Sequence, residues 1–95
     1  MSKDCVLGID VGTSGVRIAA SDRTGALLAM STAPIIAPLQ DSGRSLQDPR
    51  IWWLAIEEAF TSLDLKGLNV LALAIDGTSG TILAVDKNGE PLGLA

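Results

Sequence analysis

The sequence predicts an α/β domain built on a mixed sheet: a three-stranded antiparallel meander, one amphipathic helix, then a strand and a further hairpin. Short apolar runs separated by Gly-rich turns fill the stretch from Cys5 to Ile35. A helical period with a start signal follows from Asp48 to Leu63. The unbroken apolar run at residues 69–75 comes after that helix, which therefore serves as a crossover and lays the run beside the first strand. At 95 residues the chain holds one domain and one core.

The first strand is the run CVLGID at residues 5–10, apolar enough to be buried, and Gly12 and Gly15 bracket the turn that ends it. VRIAAS (16–21) leaves that turn as the second strand, Asp22-Arg23-Thr24-Gly25 reverses the chain, and ALLAMSTAPI returns as the third. Residues 34–47 contain Pro34, Pro38 and Gly43, have no period, and are expected to be loop. Asp48-Pro49 then starts a helix with a mechanism. An Asp N-cap accepts from N–H groups that have no partner, and proline at the first helical position has no N–H to lose. Trp52, Ala55, Ile56, Ala59, Phe60 and Leu63 recur at three- and four-residue spacing, with Glu57 and Glu58 opposite, over about four turns. Both tryptophans are expected to pack at the core or its edge, and Trp53, off the stripe, is the one placed to face a cleft. Gly67 ends the connection. Residues 69–75 lack polar alternation, as in a strand covered on both faces. TILAVD is then expected to pair back across Gly77–Gly80, and Lys87-Asn88-Gly89 to reverse the chain toward Pro91.

Two segments are nearly alike. Ile9-Asp10-Val11-Gly12-Thr13-Ser14-Gly15 and Ile75-Asp76-Gly77-Thr78-Ser79-Gly80 each run into an apolar stretch and then Asp-(Arg or Lys)-x-Gly. The similarity covers about twenty residues on either side of the helix, too short for a solenoid, and is expected to mark two turns under similar local demands.

Composition narrows the chemistry. With 7 basic and 11 acidic residues, unclustered and netting −4, the chain shows no electrostatic footprint for nucleic acid or an anionic membrane. Cys5 stands alone, so no internal disulfide forms, and it reads as a small buried residue. There is no histidine, which removes Ser-His and Cys-His nucleophiles and imidazole-ligated zinc from this span. Lys3, Asp4 and Asp10 come too early for a signal peptide and no apolar run reaches bilayer length, so a cytoplasmic protein is expected.

Asp10 ends an apolar strand, where a carboxylate is costly unless it is solvated, hydrogen-bonded or facing a cation. Gly12, Thr13, Ser14 and Gly15 supply small side chains, hydroxyls and unshielded N–H groups that let a polyphosphate approach the backbone. Arg17 adds a fixed positive charge. In one reading Asp10 holds Mg²⁺ through waters while the turn holds phosphates. In the other, Asp10 simply braces a Gly-Thr turn. The turn is not GxxxxGK[ST], since no lysine follows the glycines, and not GxGxxG, since the next element is a strand.

GIDVGTSGVRIA resembles the first phosphate hairpin of the FGGY family of carbohydrate kinases, within the sugar kinase, actin and heat-shock-chaperone ATPase superfamily. LQDPRIWW is similar to that family's segment leading into its first helix, and LALAIDGTSGTILAVDKNGEPL to its next strand and hairpin. The three come in family order and cover nearly the whole chain.

The resemblance implies a ribonuclease H-like fold, here as part of a first lobe. It places Asp10, Gly12, Thr13, Ser14 and Arg17 on Mg-ATP, with Asp10 at the metal. It places Gly77, Thr78, Ser79 and Gly80 at the sugar, with Ser79 the foremost substrate contact. Glycerol kinases carry Asn-Gln-Arg-Glu at this later turn and xylulose kinases Gln-Met-His, so the short hydroxyl-bearing turn here looks more like ribulose-kinase-like members. The family's glutamate before Gln-Asp-Pro is Leu46. The general base and the adenosine site of such kinases lie past position 95, so the span has no catalytic residue of its own and is expected to be an inactive N-terminal fragment with an open sheet edge that self-associates or dimerises. Two rival readings are a nucleotide-gated regulator or chaperone-like ATPase lobe, and a small scaffold domain whose turns are only turns.

Overall fold

The computed structural model describes residues 2–95. A four-stranded sheet has the order β3-β2-β1-β6, formed by β1 (Lys3–Val11), β2 (Gly15–Ser21), β3 (Leu27–Pro34) and β6 (Leu68–Gly77). β1, β2 and β3 make the expected antiparallel meander, and β6 lies parallel to β1. Between them come a short hairpin, β4 (Leu39–Asp41) with β5 (Arg44–Leu46), and the helix α1 (Pro49–Ser62).

Alternation along the strands decides which face is covered. Cys5, Leu7 and Ile9 of β1 and Val16, Ile18 and Ala20 of β2 point to one side and form the core with Ala33, Ile35, Ala55, Ala59 and Leu63. α1 covers that side. Its N-cap is Asp48, whose carboxylate accepts from the Arg50 N–H, with Pro49 in the first turn, as the sequence requires. The buried Ser31 hydroxyl donates to the Ala59 carbonyl at 2.6 Å and pins β3 to the helix. The opposite face of the sheet is bare.

Three expectations are corrected. Residues 34–47 are not wholly loop: β4 and β5 pair there around Ser42 (φ 49°) and Gly43 (φ 81°). Two successive residues in the left-handed region are what a two-residue hairpin of this twist needs, so the Ser-Gly pair was the missed signal. β6 is not covered on both faces. α1 lies over β2 and β3, leaving Ile75 58% exposed. β1, too, is covered on one face only. Finally, TILAVD does not pair with β6. Gly80 (φ 80°) turns the chain away, Ile82 is 82% exposed, and the downstream segment is held by a tight reversal joining Val85 and Pro91 and by a backbone pair between Ala95 and Gln47. A strand there would be a fifth, edge strand beyond the reach of α1, gaining one ladder and little apolar burial. The Lys87-Asn88-Gly89 reversal forms as expected, with Gly89 at φ 81°.

Candidate active site

The site develops at the carboxyl ends of β1 and β6. β1 and β2 are antiparallel with Asp10 opposite Arg17, and β1 and β6 are parallel with Asp10 opposite Asp76. All three side chains therefore project from the bare face, around a shallow cavity of about 290 Å³ also lined by Gly8, Ala19 and Ala74. Asp76 hydrogen-bonds to Asp10, and this contact, with the like charge, raises the Asp76 carboxyl above its ordinary value. Sequence reasoning missed Asp76 as a site residue. The repeated Ile-Asp on two strands joined by a helical crossover held the signal, because parallel pairing in register sets equivalent residues side by side.

The turn after Asp10 is held from below. The Gly12 N–H donates to the Gly15 carbonyl at 2.9 Å, the Ser14 carbonyl accepts from the Ile35 N–H at 3.0 Å, and the Thr13 carbonyl accepts from Gln47 Nε2 at 3.1 Å. Thr13 and Ser14 are exposed, and their N–H groups have no partner among the described residues. Gly15 is required by packing: a Cβ there would sit 3.0 Å from the Ala33 carbonyl oxygen. An exposed turn with its carbonyls tied down, N–H groups free and a carboxylate pair alongside fits a hydrated Mg²⁺ and an anion. Magnesium keeps several waters and needs only one or two carboxylates plus phosphate oxygens.

A second cavity, about 340 Å³, opens on the helix side of the same strand ends. Gly12, Gln47, Trp52, Asp76, Thr78 and Thr81 line it, with Val11, Ile56, Ile75 and Gly77. Of the later turn, Gly77 and Thr78 reach this cavity. Ser79 and Gly80 are exposed outside its lining, while Thr81, which sequence reasoning did not single out, belongs to it. The structure thus brings Asp10, Gly12, Arg17, Gly77 and Thr78 around the ends of two adjacent strands and leaves Ser79 and Gly80 farther out.

The family model for the N-terminal domain of the FGGY family of carbohydrate kinases matches residues 5–95. This chain belongs to the FGGY family. Among its relatives, a xylulose kinase of Staphylococcus epidermidis is 33% identical over 96 residues, which is 97% of this chain and 19% of that protein. A ribulokinase of Shouchella clausii is 33% identical over 106 residues, covering 95% of this chain and 19% of its own length. The solved xyloylose kinase from Brucella ovis superposes with a TM-score of 0.85 at 23% identity, covering 95% of this chain and 20% of that one. The ribonuclease H-like fold of such FGGY kinases is therefore the fold here. The chain spans about a fifth of the length of the curated relatives it matches. The departure of Gly77-Thr78-Ser79-Gly80 from the xylulose-kinase run does not keep xylulose kinases out of the matches: both names occur among these FGGY relatives.

Proposed function

We propose that the protein to which this FGGY domain belongs transfers the γ-phosphoryl group of ATP to a hydroxyl of a small sugar or polyol, with a ketopentose the first acceptor to test. The observation that supports this reading most is the parallel register that sets Asp10 beside Asp76 at the mouth of the Gly12–Gly15 turn. Asp10, with Asp76 alongside, holds hydrated Mg²⁺; the N–H groups of Thr13 and Ser14 and the guanidinium of Arg17 take phosphate oxygens. Bound Mg²⁺ supplies charge neutralisation across the phosphate oxygens, and phosphoryl transfer draws mainly on such positioning and electrostatics. The cavity beside the turn, with Trp52 as an apolar wall and Thr78 and Thr81 as hydroxyl partners, receives the acceptor. Ser79, in the same later turn, is a further hydroxyl partner for the acceptor in this reading. The location proposed is the cytoplasm, where ATP is supplied. The names of the relatives, xylulose kinase and ribulokinase, favour five-carbon acceptors over glycerol.

The test is ADP release by the full-length protein against ketopentoses, glycerol and other polyols. One acceptor should stimulate ADP release strongly, and Asp10→Asn should lower kcat/KM for Mg-ATP roughly a hundredfold or more. Nucleotide turnover that no acceptor stimulates would instead favour a regulatory ATPase lobe.

A further inference from the structure

Gln47 sits between the phosphate turn and the acceptor cavity with every side-chain polar atom in use. It is buried, its Nε2 donates to the carbonyls of Thr13 at 3.1 Å and Ile36 at 3.0 Å, and its Oε1 accepts from Trp52 Nε1 at 2.8 Å. Its backbone exchanges two further hydrogen bonds with Ala95, at 3.1 and 2.8 Å. A carboxamide has two N–H donors and a carbonyl acceptor, and this arrangement uses both donors and the acceptor. Glutamate has no donor for the two carbonyls, and asparagine is one methylene short of reaching them.

The three side-chain partners belong to different parts of the site. Thr13 is inside the Gly12–Gly15 turn, Ile36 lies just past β3, and Trp52 stands on the first turns of α1, where it lines the 340 Å³ cavity. Trp52 makes no hydrogen bond to the turn itself, so its polar connection to Thr13 runs through Gln47 alone.

We propose that Gln47 is a positioning residue: it fixes the phosphate turn relative to the Trp52 wall of the acceptor cavity, so that nucleotide and acceptor meet in one geometry. This rests on reading the turn as the phosphate site. A side chain with a merely structural task would, when replaced, lower thermal stability and leave the kinetic constants of the remaining folded protein alone. A positioning residue alters the kinetics, and does so jointly with Trp52.

The experiment is a double-mutant cycle in the full-length protein with Gln47→Leu and Trp52→Phe, measured below the thermal transition of every variant. Gln47→Leu should raise KM for Mg-ATP about tenfold, the loss of roughly one buried hydrogen bond to the turn. Trp52→Phe keeps the aromatic wall, removes only the Nε1 donor, and should raise KM for Mg-ATP two- to threefold from a distance. In the Gln47→Leu background that second effect should vanish. Additive effects, or unchanged KM for Mg-ATP in Trp52→Phe, overturn the proposal; the latter suffices even where Gln47→Leu does not fold. Asp10→Asn run in parallel separates the two levels. If it binds Mg-ATP like the parent, the phosphate-site reading fails. If it is impaired while Gln47→Leu and Trp52→Phe are kinetically silent, only the positioning role fails.

Discussion

Asp76 meets Asp10 across adjacent parallel strands, and that encounter makes the pair sensitive to pH. The hydrogen bond from one carboxyl to the other, reinforced by their mutual repulsion, raises the Asp76 carboxyl above its ordinary value near 3.8. A raised acid favours the folded state below its ordinary value, and that contribution is lost as pH rises through the raised one. Above that raised value the contact therefore opposes folding. Asp76→Asn should melt higher than the parent at pH 7, and the difference should close as pH falls below about 4. Thermal unfolding followed by circular dichroism across that range checks it, and equal midpoints at pH 7 would contradict the coupling. The same substitution should weaken Mg²⁺ dependence if Asp76 helps hold the cation. Asp10 was legible in the sequence, because a carboxylate ending an apolar strand demands a reason. Asp76 was written in the same words, but only the parallel register makes its meaning visible.

The meander and helix followed from local chemistry, and their energetics can be tested one contact at a time. Ile18 is fully buried between the sheet and α1, so Ile18→Ala should cost about 2–5 kcal/mol. Ser31→Ala should cost about 1 kcal/mol, since it removes the hydroxyl that donates to Ala59. Chemical denaturation of the full-length protein or its first lobe distinguishes the two magnitudes. The repeat noticed in the sequence proves real at one kind of turn and absent at the other. Asp22 accepts from the N–H groups of Thr24 and Ala26, and Asp86 from those of Asn88 and Glu90, while Gly25 (φ 86°) and Gly89 (φ 81°) take the left-handed position in each. Thr24 Oγ1 and Lys3 add to the Asp22 set, and together these bonds hold its carboxyl well below the usual range. That stabilisation is present above the ordinary carboxylate value and fades as pH drops beneath it. Asp22→Ala should accordingly lower the neutral-pH melting point more than Asp86→Ala, an order that near-acid conditions erase. By contrast the two Gly-Thr-Ser-Gly stretches diverge. The first is clamped by β2, β3 and Gln47, whereas the second has none of these neighbours, so identical residues adopt different paths.

Across the whole molecule, one helix serves a four-stranded sheet. α1 covers β2 and β3, while Trp53, Ile56, Phe60, Leu73 and Ile75 border an open apolar groove of about 540 Å³ over β1 and β6. Residues 70–75 of β6 are apolar without alternation, yet among the described residues nothing closes the groove beside α1, so burial was the expectation that local pattern could not secure. Trp53, off the stripe, is 62% exposed and borders this groove, but it is Trp52, expected only at the core or its edge, that lines the 340 Å³ cavity beside the turn. The 95-residue chain alone should not turn over any sugar and should bind ATP weakly, since it spans about a fifth of the length of the curated relatives it matches. Sedimentation velocity on the isolated chain should give a weight-average mass that climbs with concentration through the free β6 edge. A strictly monomeric profile would count against an exposed pairing edge.

That edge also has a history within each molecule. Synthesis adds only about 5–20 residues per second, and β6 is the last strand of the sheet to leave the ribosome. For many seconds the nascent strand offers hydrogen bonds and apolar side chains to whatever is near. Productive folding of this domain then depends on how quickly a pairing partner reaches that ladder, or on a holdase occupying it meanwhile.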